Sequence, residues 1–129
     1  KALGPPTSYA AQRYFGVHAF HWVDADGGRR AVRYTWEPEA GVNFLSPKAA
    51  KALGPNYLHE EFDTRLAQAP ARFALKLQVA ERGDRTDDPT IPWPASRPVV
   101  ADWVRCRSGF RTPPWHMRCA MASRRSFLL

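Results

Sequence analysis

No acidic residue follows Asp102, although 27 residues remain, and six of those are arginines. This absence concentrates the formal net charge of +7 in one place. With those arginines set aside, positions 1–104 carry 13 basic and 12 acidic residues and are almost neutral. A nucleic-acid footprint spread over the whole domain is therefore not supported. No segment of about 20 apolar residues occurs, which excludes a membrane-spanning helix from the sequence pattern. Cys106 and Cys119 are the only cysteines, so a disulfide framework is not implied, and a reducing, cytoplasmic compartment is the expectation, with the periplasm left open. There is no Walker loop, no G-x-S-x-G and no G-x-G-x-x-G, which leaves no phosphate cradle or serine elbow. The chain opens at Lys1 without Met and reads as a fragment of 129 residues, enough for one small domain or part of a larger one.

Prolines are plentiful, 12 in all, and they punctuate the chain. After a proline-rich start, Tyr9 to Tyr14 suggests a short helical turn. Val17–Asp24 and Arg30–Trp36 alternate as strands around Asp26-Gly27, which fits a two-residue type I′ turn. Ser46-Pro47 signals a helix start, with Ser as cap and Pro at the first helical position. Asn56 is placed to cap a second helix, in which Leu58, Phe62 and Leu66 form one apolar stripe. Arg72–Glu81 is the clearest strand: Phe73, Leu75, Leu77 and Val79 share one face. A long acidic and proline-rich loop follows. Beyond about Ala101 no period of 2 or 3.6 is sustained, so 105–129 is expected to be a basic tail, disordered or out of frame, behind a body of 1–104.

A two-residue turn fixes the hairpin register. It sets His21 opposite Val32, Ala19 opposite Tyr34 and Val17 opposite Trp36 on a core-like face. The other face sets His18 opposite Thr35, Phe20 opposite Arg33 and Trp22 opposite Ala31, a mixed surface of aromatic bulk and polar heads that can line a ligand-containing interior. His18 and His21 are three apart, so on a strand they leave opposite faces and do not make a zinc site. His116 and Cys119 give an H-x-x-C spacing without a paired C-x-x-C, and no metal ligand set is assigned. Taken alone, His18 reads as a satisfied histidine at a strand start.

"SYAAQRYFGVHAFHWVDADGGRRAVRYTWEPEAG" resembles the middle of a small haem catalase-family peroxidase, the short bacterial relatives of catalase. "GPNYLHEEFDTRLAQAPARFALKLQVAERGDRTDDPTIPWPASRP" is similar to the helix, the next barrel strand and the Asp-Pro-Thr…Trp-Pro loop of that family, in the same order. The resemblance implies an α+β fold, an antiparallel β-barrel of catalase type with peripheral helices, incomplete in this chain. It implies haem as cofactor and hydrogen peroxide or an organic peroxide as substrate, in defence against oxidative stress. The family's Gly-x-His stretch matches Gly16, Val17 and His18. The resemblance implies that these lie on the proximal side of the haem, with the histidine supporting an arginine beside the iron-ligating tyrosinate. Gly16 would allow close approach to the macrocycle. Trp93 is expected to anchor its loop, and nucleotide binding is not carried over.

The family's distal histidine and proximal tyrosine have no counterpart here. None of Tyr9, Tyr14, Tyr34 and Tyr57 matches the ligand position, so no catalytic residue is assigned and the chain reads as a truncated, inactive form. The family's next Leu-Gly strand is replaced by "ADWVRCRSGF", as a frameshift or chimeric end near Ala101 would leave it. An alternative reading is a basic binding module or non-catalytic remnant whose arginine-rich tail contacts anionic partners. Half a barrel would expose edges, so self-association is expected.

Overall fold

The computed structural model describes residues 4–96, 99–108 and 117–121. Five strands form one antiparallel sheet in chain order: β1 (Tyr14–Val23), β2 (Arg29–Pro38), β3 (Ala71–Val79), β4 (Val99–Ser108) and β5 (Met117–Met121). Between β2 and β3 lie α1 (Pro47–Leu53) and α2 (Tyr57–Gln68). Among the described residues β1 and β5 each pair on one side only, so the sheet is open.

β3 sits at the centre because its apolar period of two is uninterrupted. Ala71, Phe73, Leu75 and Leu77 are all buried, and they meet Val32 from β2 and Val104 and Cys106 from β4. Phe62 and Leu66 of α2 pack on the same cluster, so the helical stripe finds its partner on this face. Ser46 caps α1 by accepting from the Ala49 amide at 3.2 Å, with Pro47 in the first turn. Asn56 differs from expectation. Its side chain makes no cap bond, and its carbonyl oxygen accepts from the His59 and Glu60 amides instead. The expected turn after Ser8 is shorter too, a single 3-10 turn at Tyr9–Ala11.

The β1–β2 turn overturns the two-residue assignment. The Asp24 amide donates to the Gly28 carbonyl oxygen at 3.0 Å, and the Gly27 amide donates to the Asp24 carbonyl oxygen at 3.1 Å. Gly27 has φ 84°, so Ala25–Gly27 forms a three-residue loop with glycine in the left-handed position. Asp24 favours this form because its Oδ1 also accepts from the Asp26 and Gly28 amides. The register moves by one residue, and side chains exchange faces as a result. Phe20 stands opposite Val32 and Trp22 opposite Arg30, whereas His21 stands opposite Ala31. His21 is exposed and is not part of the core.

The chain after Ala101 also departs from the expectation of lost order. β4 pairs with β3 from Gln78↔Val99 to Ala71↔Cys106, so position 104 falls inside a strand. The alternation was hidden because it rests on Val104 and Cys106, buried between exposed Trp103, Arg105 and Arg107. Cys106 is fully buried and disulfide-bonded. Cys119, the only other cysteine, is its register partner across β4–β5. Two cysteines do not make a framework, but strand pairing sets positions 106 and 119 side by side. The rest of the segment read as a tail, 109–116 and 122–129, lies outside the described residues, as does His116.

Leu77 is 1% exposed at the middle of the core. Leu77→Ala is expected to lower unfolding free energy by about 2–5 kcal/mol, measured by urea denaturation.

Candidate functional site

β1 is irregular where the sequence places its candidate residues. Tyr14, Phe15 and Gly16 pair with Trp36, Thr35 and Tyr34, and pairing resumes at Phe20↔Val32. Val17, His18 and Ala19 therefore stand against Arg33 alone. Bulges of this kind bend a strand and re-aim its side chains. Val17 is 54% exposed, and His18 is exposed beside it. The three expected residues, Gly16, Val17 and His18, are thus brought together on one distorted turn of edge strand.

Gly16 has a specific local cause. A Cβ built on it would lie 2.7–2.8 Å from three ring atoms of Tyr34. The space that a side chain would fill belongs to the cross-strand tyrosine, so on that side the glycine admits Tyr34 and not a flat macrocycle. Tyr34 in turn packs against Phe20, with ring centroids 5.0 Å apart. This pairing of glycine with an aromatic neighbour is the last regular rung before the bulge.

Around the site the side chains are engaged. Tyr14 donates to the Tyr9 carbonyl oxygen at 2.7 Å, and Tyr57 donates to the Pro6 carbonyl oxygen at 2.7 Å. Burial, the larger influence, pushes the Tyr14 phenol above its usual pKa against a hydrogen bond from Gln12. Glu37 receives Lys76 and Arg13, the latter at 2.8 Å. Hydrogen bonds from Lys76 first and Arg13 second hold its carboxyl below the ordinary carboxylate range.

Behind the bulge, Arg33 secures the long loop after β3. Its guanidinium donates to the Ile91 carbonyl oxygen at 2.7 Å and the Asp88 carbonyl oxygen at 3.0 Å. It also lies 4.5 Å from the Trp93 ring centroid. Trp93 is buried and donates through Nε1 to the Arg85 carbonyl oxygen at 3.0 Å. The indole thus anchors its loop, as the sequence reading expected. Gln78, opposite Arg33 in the β2–β3 register, donates to the Pro94 carbonyl oxygen at 3.2 Å. Sequence reasoning missed the part played by Arg33; its position next to the bulge was concealed by the wrong register.

Haem fits this surface in part. Exposed Phe15, Val17 and Phe20 flank the bulge and could meet an apolar ring system, with the His18 imidazole beside them. An iron-ligand site is not assembled: two of the four tyrosine hydroxyls donate to backbone carbonyls, Tyr9 pairs with His59, and Tyr34 packs over Gly16. Among the described residues no group of three or more His, Cys, Asp or Glu side chains could hold a metal ion. Nor is any helix among them long and apolar enough to cross a membrane.

Comparison with known proteins adds the wider setting. A family model described as catalase matches residues 2–93. A catalase-related peroxidase of Mycolicibacterium paratuberculosis is 39% identical over 99 residues, covering 77% of this chain and 32% of the relative. A catalase-related peroxidase of Synechococcus elongatus is 34% identical over 96 residues, covering 74% of this chain and 28% of the relative. A fungal catalase structure superposes with a TM-score of 0.65 at 20% identity over 74% of this chain and 21% of its own. Catalase A of Saccharomyces cerevisiae gives 0.65 at 16% identity over 74% and 22%. The chain spans about a third of the length of these curated relatives, or less.

Two measurements follow from this geometry. Gly16→Ala is expected to destabilise by about 1–3 kcal/mol through the clash with Tyr34. The Gly16→Ala/Tyr34→Ala double variant is expected to lose less than the sum of the single losses, read from paired urea melts. Glu37 contributes stability above its ordinary carboxylate pKa, and that contribution fades as pH falls through its lowered value. Glu37→Gln should therefore weaken the protein at neutral pH and match it once Glu37 is protonated in both states, as read from melting temperatures between pH 7 and pH 2.

Proposed function

The chain belongs to the catalase family, and from that premise we propose that it is one section of a haem-dependent peroxide-degrading enzyme, inactive when made alone. The observation that carries this reading is the match over residues 2–93, which includes the Gly16–His18 bulge. The substrate proposed for the intact enzyme is hydrogen peroxide or an organic peroxide, and the open sheet is proposed to be one part of a closed barrel.

Bound haem would supply the redox chemistry of peroxide decomposition. The residues of this chain have a supporting part. Gly16 gives Tyr34 its place, and that packing sets the start of the bulge. The bulge carries His18 out of the regular ladder, where its imidazole is accessible to a hydrogen-bonding partner from outside this section. By family likeness that partner is an arginine next to the iron ligand. A cation held there would stabilise a phenolate and temper its donation to iron. Moving a proton between the peroxide oxygens needs a general acid–base group, and no residue of this chain is assigned to that role. Edge strand β1 carries exposed Phe15, Val17 and Val23, so the isolated section is proposed to self-associate.

Haemin titration and oxygen-release assays test the reading. The chain alone is expected to give neither a tyrosinate-type Soret spectrum nor peroxide turnover, and either one would overturn it. In an intact relative carrying this segment, His18→Ala is expected to shift the haem spectrum and slow turnover. His21→Ala, at an exposed position opposite Ala31, is expected to leave both unchanged.

A further inference from the structure

Of the two open edges among the described residues, β1 is the longer, ten residues against the five of β5. At full extension it runs about 34 Å. Exposed edges commonly carry Lys, Asp, Glu or Pro, which deter a second strand. Tyr14–Val23 has none of these, and no arginine either. Nine large apolar side chains are exposed among the described residues, and five of them, Tyr14, Phe15, Val17, Phe20 and Val23, belong to this one strand. The bulge at 17–19 lies near the middle of the strand, with paired residues Tyr14–Gly16 before it and Phe20–Val23 after it.

We propose that the β1 edge docks a second copy of this chain, in a closed two-fold dimer whose β1 strands run antiparallel to each other. This gives the self-association of the isolated section its edge, its partner and its stoichiometry, and it rests on the reading of the chain as an open section of the family's sheet. An axis through the middle of the strand sets the stretch before the bulge in one copy against the stretch after it in the other. The two bulges then coincide at the axis. A bulge deters a straight strand from adding, whereas an identical strand brings the same bend to the same place. Charge favours the same contact. Each copy carries a formal net charge of +7, and none of it lies on β1. Copies that repel elsewhere can meet there, and Phe15 and Val23, 63% and 60% exposed, leave water when they do. Adding β1 to the β5 edge of another copy would match ten residues with five and would grow without end, while the two-fold contact uses both edges fully and closes.

The test is sedimentation equilibrium of the full chain across a dilution series. A dimer of about 29 kDa, twice the 14.6 kDa of one chain, is expected to dissociate to monomer on dilution. Phe15→Lys/Val23→Lys should weaken it by about tenfold or more. Its far-UV circular dichroism should match the parent, because both side chains are exposed in the single chain. Leu53→Lys, at a similarly exposed apolar position that ends α1, is the control and should dimerise as the parent does. Amide hydrogen exchange in β1 of the parent should slow as protein concentration rises. The proposal is overturned if the parent stays monomeric, if it forms filaments or assemblies beyond the dimer, or if the control weakens as much as the edge variant. An edge variant that dimerises as the parent does overturns it too. If that variant does not fold, the exchange measurement decides, and β1 exchange independent of concentration overturns the proposal. Haemin titration of the same sample keeps the two readings apart. A tyrosinate-type Soret spectrum removes the reading of an inactive section whatever the mass, whereas a monomer without that spectrum removes only the dimer.

Discussion

Burial of one face of β3 is the constraint on which the rest of the molecule depends. Phe73, Leu75 and Leu77 can leave water only if β2 and β4 flank them and α2 covers them. That requirement fixes seven cross-strand pairs between β2 and β3, from Pro38↔Phe73 to Val32↔Val79. With β2 held by its buried Val32, β1 must place Phe20 on the same side, and His21 is turned outward. The outward position of His21 is therefore decided by hydrophobic burial two strands away.

Local patterns conveyed β3 and the Ser46–Pro47 helix start, because each depends on neighbours close in sequence. Phe73 to Val79 alternate without interruption, and Ser46 meets its amide partner three residues on. The hairpin was less legible. Its strands could be read, but Asp24-Ala25-Asp26-Gly27-Gly28 admits two loop lengths. The choice rests on Asp24 Oδ1 accepting from two amides, a preference that the Asp26-Gly27 pair alone does not reveal. β4 and β5 were illegible because strand identity there comes from pairing, of β4 with β3 and of β5 with β4, and not from their own composition.

The candidate site shows the same division. The Gly16-Val17-His18 triplet could be singled out by its likeness to the catalase family. The bulge that separates it from the ladder could not, since it shows only in the cross-strand register, where pairing lapses between Gly16 and Phe20. The glycine remains necessary, but for a partner within the chain. Arg33 escaped notice for a related reason: its acceptors are backbone carbonyls 55 and 58 residues away.

That last contact has a mechanical consequence. Arg33 and Gln78 are direct partners on β2 and β3, and each donates to carbonyls of the same loop. The loop is thereby stitched to two strands at a single rung. Sliding β2 along β3 would have to tear the loop from one strand or drag it along both, so the loop behaves as a shear pin. Its resistance adds to that of the ladder hydrogen bonds, which lie across the strands and are all loaded together by a slide along the strand axis.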